Sequence, residues 1–88
     1  MVERLCRDYG IAELAVFGSV ARGEATASSD IDLLYTLGPE SQLGWDIEDL
    51  SDKLSDAFGR PVDLVSKKYL SKRLRGRVLA EAIVVYAA

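Results

Sequence analysis

Apolar residues recur along this chain with two different periods. Val2, Leu5, Cys6 and Tyr9 fall at i, i+3, i+4 and i+7, which predicts a short helix over 2–9 with Gly10 as its stop. Ile11 to Phe17 reads as a first strand, with Val16 and Phe17 at its buried end. Gly18 makes a turn, and Ser19 to about Gly23 is expected to start a short helix with Ser19 at its N-cap. Gly23 to Ser29 is small and polar and reads as a surface loop. Asp30 to Leu37 is a second strand, and Gly38-Pro39-Glu40 breaks it. Leu43, Ile47, Leu50, Leu54, Ala57 and Phe58 then mark one face of a helix, whose N-terminal end suits Asp46, Glu48 and Asp49. Gly59-Arg60-Pro61 ends that helix, and Pro61 to Ser66 is a third strand. Ser66 is expected to cap a helix from Lys67 to about Arg75, with Leu70 and Leu74 turned inward. Val78, Leu79, Ala82 and Ile83 continue apolar, and β-branched Ile83-Val84-Val85-Tyr86 predicts a final short strand. The class is α+β, a short mixed β-sheet flanked by helices. With no internal repeat, linker or low-complexity stretch, residues 1–88 read as a single domain.

Composition narrows the chemistry. A hydrophobic fraction of 49% excludes a disordered chain. No apolar run approaches the roughly 20 residues that span a bilayer, and Met1-Val2-Glu3-Arg4 is charged where a signal peptide would be apolar. The single Cys6 cannot form an internal disulfide, so a cytoplasmic location is expected, and the thiol reads as a small core residue. With no histidine, Ser-His and Cys-His nucleophiles and His-bound zinc are excluded, so any catalysis rests on carboxylates and metal. The net charge of −3 divides unevenly, with −8 over residues 1–63 and +5 over residues 64–88. The basic end is a candidate contact for phosphate or for an acidic partner, against the plainer reading of a solvated face.

The candidate chemistry lies between Gly18 and Leu33. Side chains alternate along a strand, so Asp30 and Asp32 point the same way while Ile31 and Leu33 enter the core. Two carboxylates on one face repel unless a cation lies between them, and hard oxygen ligands suit Mg²⁺. Gly18 allows a phosphate close to the backbone, and Ser19 offers a hydroxyl and an N–H. Both halves ask for a metal-bound polyphosphate. Arg22 could be held by a phosphate or by a structural carboxylate, and Ser29 could fix the start of the strand by a local hydrogen bond. Asp63 lies in a short apolar strand, where a carboxylate is costly except at an edge, an end or a site.

Gly18-Ser19, ten residues, then Asp30-Ile31-Asp32 resembles the signature of the DNA-polymerase-beta-like nucleotidyltransferases. The wording Gly18-Ser19-Val20-Ala21-Arg22-Gly23 and Ser29-Asp30-Ile31-Asp32-Leu33 is most similar to the minimal nucleotidyltransferases, the small partners of HEPN-domain proteins in toxin–antitoxin pairs. The resemblance runs from about residue 10 to Ser66. It implies a polymerase-beta-like core and two Mg²⁺ ions held by Asp30, Asp32 and Asp63, with Asp63 taking the proton of the attacking hydroxyl. It also implies ATP as substrate, bound with the help of Gly18, Ser19, Arg22 and Ser29, and AMP transfer to a tyrosine of a HEPN RNase toxin. A binding-only antitoxin and transfer to a small molecule such as an aminoglycoside are the alternatives. Direct nucleic-acid binding is not expected, whereas homo- or hetero-oligomers are compatible with a small core and an apolar tail. The basic C-terminal face and Trp45 are the candidate docking elements, Trp45 alternatively packing over the helix start.

Overall fold

A computed structural model describes residues 2–24, 26, 29–39 and 46–88. The first helix, α1 (Val2–Asp8), buries Cys6 completely and packs Val2, Leu5 and Tyr9 against the core, as their spacing requires. Gly10 ends it with φ 71°, a backbone conformation that glycine adopts without steric cost. Strand β1 (Ile11–Phe17) follows, then β2 (Ile31–Leu37). Helix α2 (Asp46–Phe58) buries Leu50 and Leu54. Leu43 and Trp45, placed by sequence at the start of this helix, lie outside the described residues. Strand β3 (Val62–Ser66), helix α3 (Lys72–Glu81) and strand β4 (Ile83–Ala87) complete the chain.

The four strands form one sheet in the order β3-β2-β1-β4. β1 runs antiparallel to both β2 and β4, while β2 and β3 are parallel. A parallel pair needs a crossover, and α2 supplies it. The sheet is therefore mixed, and its two faces are unlike. Leu14 of β1 and Ile31 and Leu33 of β2 meet α1 and α2 in the larger core, with Val16, Val62 and Leu64 packed against it. Ala15 and Leu34 meet Val78 of α3 in a smaller core, joined by Phe17, Val65, Leu70 and Ala82. By alternation, Asp32 and Asp63 belong to the α3 face.

Two local expectations are corrected. Ser19 to Gly23 forms no helix: the segment is a run of turns in which the Arg22 N–H donates to Gly18 C=O at 3.1 Å and the Glu24 N–H to Ser19 C=O at 2.9 Å. Gly18 at φ 75° and Gly23 at φ 73° bracket it, and left-handed residues at both ends stop a helix from propagating. The basic segment also divides. Lys67–Tyr69 is a single 3₁₀ turn, and Ser66 makes no side-chain cap. The chain extends through Leu70 and Ser71, and α3 starts with Ser71 as N-cap, its Oγ accepting from the Leu74 N–H at 3.4 Å. Leu70 packs inward as expected, but Leu74, in the first turn of α3, is 51% exposed, and Val78, one turn further along the same face, takes the buried position. The apolar tail is the outer strand of the sheet, with Ile83, Val84 and Val85 about half exposed.

Candidate active site

Strand register brings the candidate residues to one end of the sheet. Phe17, the last residue of β1, pairs with Asp32, and Asp32 pairs on its other side with Asp63. A parallel neighbour at the same register presents its side chain on the same face. Asp30 stands two residues before Asp32 and immediately ahead of β2, which starts at Ile31 rather than at Asp30. Asp30 and Asp63 are exposed, and Asp32 is partly buried. Among the described residues, no group of three or more Asp, Glu, Cys or His side chains forms a ready-made metal cage. The three acids nevertheless share one electrostatic site. Burial raises the Asp32 pKa above the ordinary carboxylate value, the charges of Asp63 and Asp30 raise it further, and Arg22 opposes them.

Three anchors hold this end of the sheet together. The Ile31 N–H donates to Pro61 C=O at 2.8 Å, joining the starts of β2 and β3. Helix α2 clamps β3 through two serines. Ser51 Oγ donates to Val62 C=O at 3.1 Å, and Ser55 Oγ accepts the Val62 N–H at 3.0 Å. These bonds fix the residue immediately before Asp63. Arg60 closes the loop ahead of Asp30. Its Nε and Nη2 donate to Ser29 C=O at 3.0 and 2.7 Å, and Nη2 also donates to Thr26 C=O at 2.7 Å. Ser29 Oγ accepts the Thr26 N–H at 2.9 Å, so this hydroxyl makes the local bond expected of it.

Gly18 lies beside the acids. A Cβ built on it would collide with Asp32 Oδ2 and stand 3.3 Å from the Asp32 carboxyl carbon, so only glycine fits between the turn and that side chain. The Gly18 N–H donates to Glu81 Oε1 at 3.1 Å. Arg22 Nη1 donates to both Glu81 oxygens at 3.1 Å, and its Nε to Glu24 Oε2 at 3.2 Å. Of the two partners open to Arg22 from sequence, the structure shows the carboxylate. The Arg22 hydrogen bond is the main cause holding the Glu81 carboxyl below its ordinary pKa, with the Gly18 N–H adding to it.

Glu81 and Arg60 were not among the sequence candidates. Glu81 is the single acid in residues 64–88 and stands among six bases, a compositional oddity that could have marked it. Arg60 carried only the weak signal of a base at a helix end.

Helices packed on a mixed sheet in this strand order define the polymerase-beta-like nucleotidyltransferase class, and the acids lie where its strands end together. The chain belongs to the nucleotidyltransferase domain family, matched over residues 1–85, and is a nucleotidyltransferase. It is 39% identical over 77 residues to protein adenylyltransferase MntA of Thermococcus cleftensis, covering 88% of this chain and 77% of that one. A solved structure assigned as a minimal nucleotidyltransferase is 45% identical, with a TM-score of 0.78 over 93% of this chain and 83% of that one. A toxin–antitoxin solved with AMP-PNP is 25% identical, with a TM-score of 0.79 over 97% of this chain and 69% of that one.

Proposed function

We propose that this chain transfers AMP from ATP to a tyrosine hydroxyl of a partner HEPN RNase toxin, silences it, and so acts as an antitoxin in the cytoplasm. The observation that carries the reading is the pairing of Asp32 with Asp63 beside the Gly18 turn. A partly buried carboxylate pressed by two others is a site short of positive charge, and its all-oxygen donor set fits Mg²⁺. The similarity to a protein adenylyltransferase and to a toxin–antitoxin solved with AMP-PNP supports the acceptor and nucleotide classes.

Asp30, Asp32 and Asp63 would hold two Mg²⁺ ions. When bound, such ions neutralise the triphosphate and stabilise the attacking and leaving oxygens. The protein's own part is placement. Gly18, having no side chain, leaves the backbone open to close approach, and Ser19 and Arg22 donate to the β- and γ-phosphates. Ser29 supports the strand start that carries Asp30. Asp63 accepts the proton of the tyrosine hydroxyl as its oxygen bonds to the α-phosphorus. The bond from the α-phosphorus to the bridging oxygen breaks, and pyrophosphate leaves. The exposed Lys72 and Arg73 of α3 offer a basic surface for docking the partner.

The test incubates the chain with ATP, Mg²⁺ and the product of the neighbouring gene, and weighs both proteins. The expected result is a mass gain of one or more AMP on the partner, lost in Asp30→Asn and Asp32→Asn. Silencing of the partner with no mass change would replace transfer by binding alone. Pull-down of the partner should weaken in Lys72→Glu/Arg73→Glu, and unchanged recovery would remove α3 from the docking surface.

A further inference from the structure

We infer that Glu81 is a positioning residue of the nucleotide site, which holds the Arg22 guanidinium and the Gly18 turn in place for the triphosphate. The inference rests on the proposed function above and adds to it a residue outside the Gly-Ser and Asp-x-Asp signatures.

The placement of Glu81 follows from strand register. Val16 pairs with Ile83 across the antiparallel β1–β4 ladder, so two residues on from Val16 and two back from Ile83 bring Gly18 and Glu81 together. Helix α3 ends at Glu81, and the Ala82 N–H closes the helix on Val78 C=O at 2.9 Å. A carboxylate at the last residue of a helix stands at the negative end of the dipole and is disfavoured there. Its partners offset that cost. The Gly18 N–H reaches one oxygen, and Arg22 Nη1 reaches both. The Glu81 side chain is 21% exposed and that of Arg22 is 40% exposed, so the pair is half out of water, where charge-assisted bonds hold geometry better than at an open surface.

Arg22 also acts toward the other side. Its charge reaches Asp32, opposing the repulsion from Asp63 and Asp30. The guanidinium is thus bonded to Glu81 and within electrostatic reach of Asp32. Five N–H donors allow it to keep Glu81 and Glu24 and still offer others to an anion. Arg22 has a long side chain with costly rotamer freedom, and a fixed carboxylate behind it removes that freedom before the nucleotide arrives. The one acid in the basic C-terminal quarter is thus committed to the opposite end of the chain, 63 residues away.

The experiment measures Mg–ATP binding to the full chain by titration calorimetry, with melting temperature alongside. Glu81→Gln is expected to weaken binding roughly tenfold, the scale of losing a charge-assisted contact, while kcat at saturating ATP stays within about twofold. Glu81→Asp, which keeps the charge, should recover part of the loss. In an Arg22→Gln background, Glu81→Gln should add no further loss, because the two act as one unit. Unchanged or tighter binding by Glu81→Gln overturns the inference, as does an additive loss in the double variant. If Glu81→Gln does not fold, the Glu81→Asp and Arg22→Gln cycle decides on the same criterion. A wild-type chain that binds no Mg–ATP overturns the proposed function along with it, whereas wild-type binding with an indifferent Glu81→Gln overturns the Glu81 role alone.

Discussion

Gly18 is the residue at which backbone conformation and chemistry meet. Its φ of 75° lies in the left-handed region, and the space where a Cβ would stand is taken by the Asp32 carboxylate. Gly18→Ala should therefore cost about 1–3 kcal/mol of stability from the strained backbone, seen as a lower urea midpoint. It should also reduce AMP transfer by more than the unfolded fraction accounts for, because Asp32 must turn away. A second residue-scale prediction concerns pH. The Tyr9 hydroxyl donates to Asp49 Oδ2, and Lys53 Nζ lies 3.3 Å from the same oxygen. The Tyr9 hydrogen bond first, and Lys53 next, lower the Asp49 pKa in the folded chain. A depressed carboxyl stabilises the fold above its unfolded pKa of about 3.9. That contribution disappears as pH falls through the lower, folded value. Tyr9→Phe should flatten the fall of the urea midpoint below pH 4, and an unchanged acid limb would remove Asp49 from the account.

Elements were legible from sequence where a local pattern decided them. β1 begins and ends at Ile11 and Phe17 as read, although Ile11, Leu14 and Ala15 rather than Val16 and Phe17 are its buried residues, and α1 buries the face that its spacing defines. The face of Asp32, opposite Ile31 and Leu33, was readable because period two is a property of any strand. What failed depended on partners far along the chain. Ser66 and Ser71 are both plausible caps, and Leu70 and Leu74 sit at helical spacing, so nothing local announces the extended break between them. The Arg22 partner was undecidable because Glu81 arrives only through the β1–β4 register. Likewise, the clamp on β3 needs α2 folded back over it, and neither Ser51 nor Ser55 looks unusual in sequence. Here too a test follows. Ser55→Ala leaves the Val62 N–H without that acceptor, so stability should drop by about 1 kcal/mol. AMP transfer should fall more than in a control at exposed Asp56, measured at a temperature where both chains are folded.

At the scale of the whole molecule, the sheet separates two tasks. Helices α1 and α2 bury Cys6, Leu50 and Leu54 on one side, and α3 and the acids share the other. Leu54→Ala empties a fully buried site and should cost about 2–5 kcal/mol, read as a lower midpoint in urea. In so small a chain that is a large part of the total. Val20 of the Gly18 turn packs on the same core, so the variant's affinity for Mg–ATP, measured where the chain is still folded, should fall as well. The partition has a practical side. A protein engineer can harden the scaffold by refilling the α1–α2 side, provided that Val20 and the Ser51 and Ser55 clamp keep their contacts. Selection for new acceptors, conversely, can rework the exposed surface of α3 while the larger core stays intact.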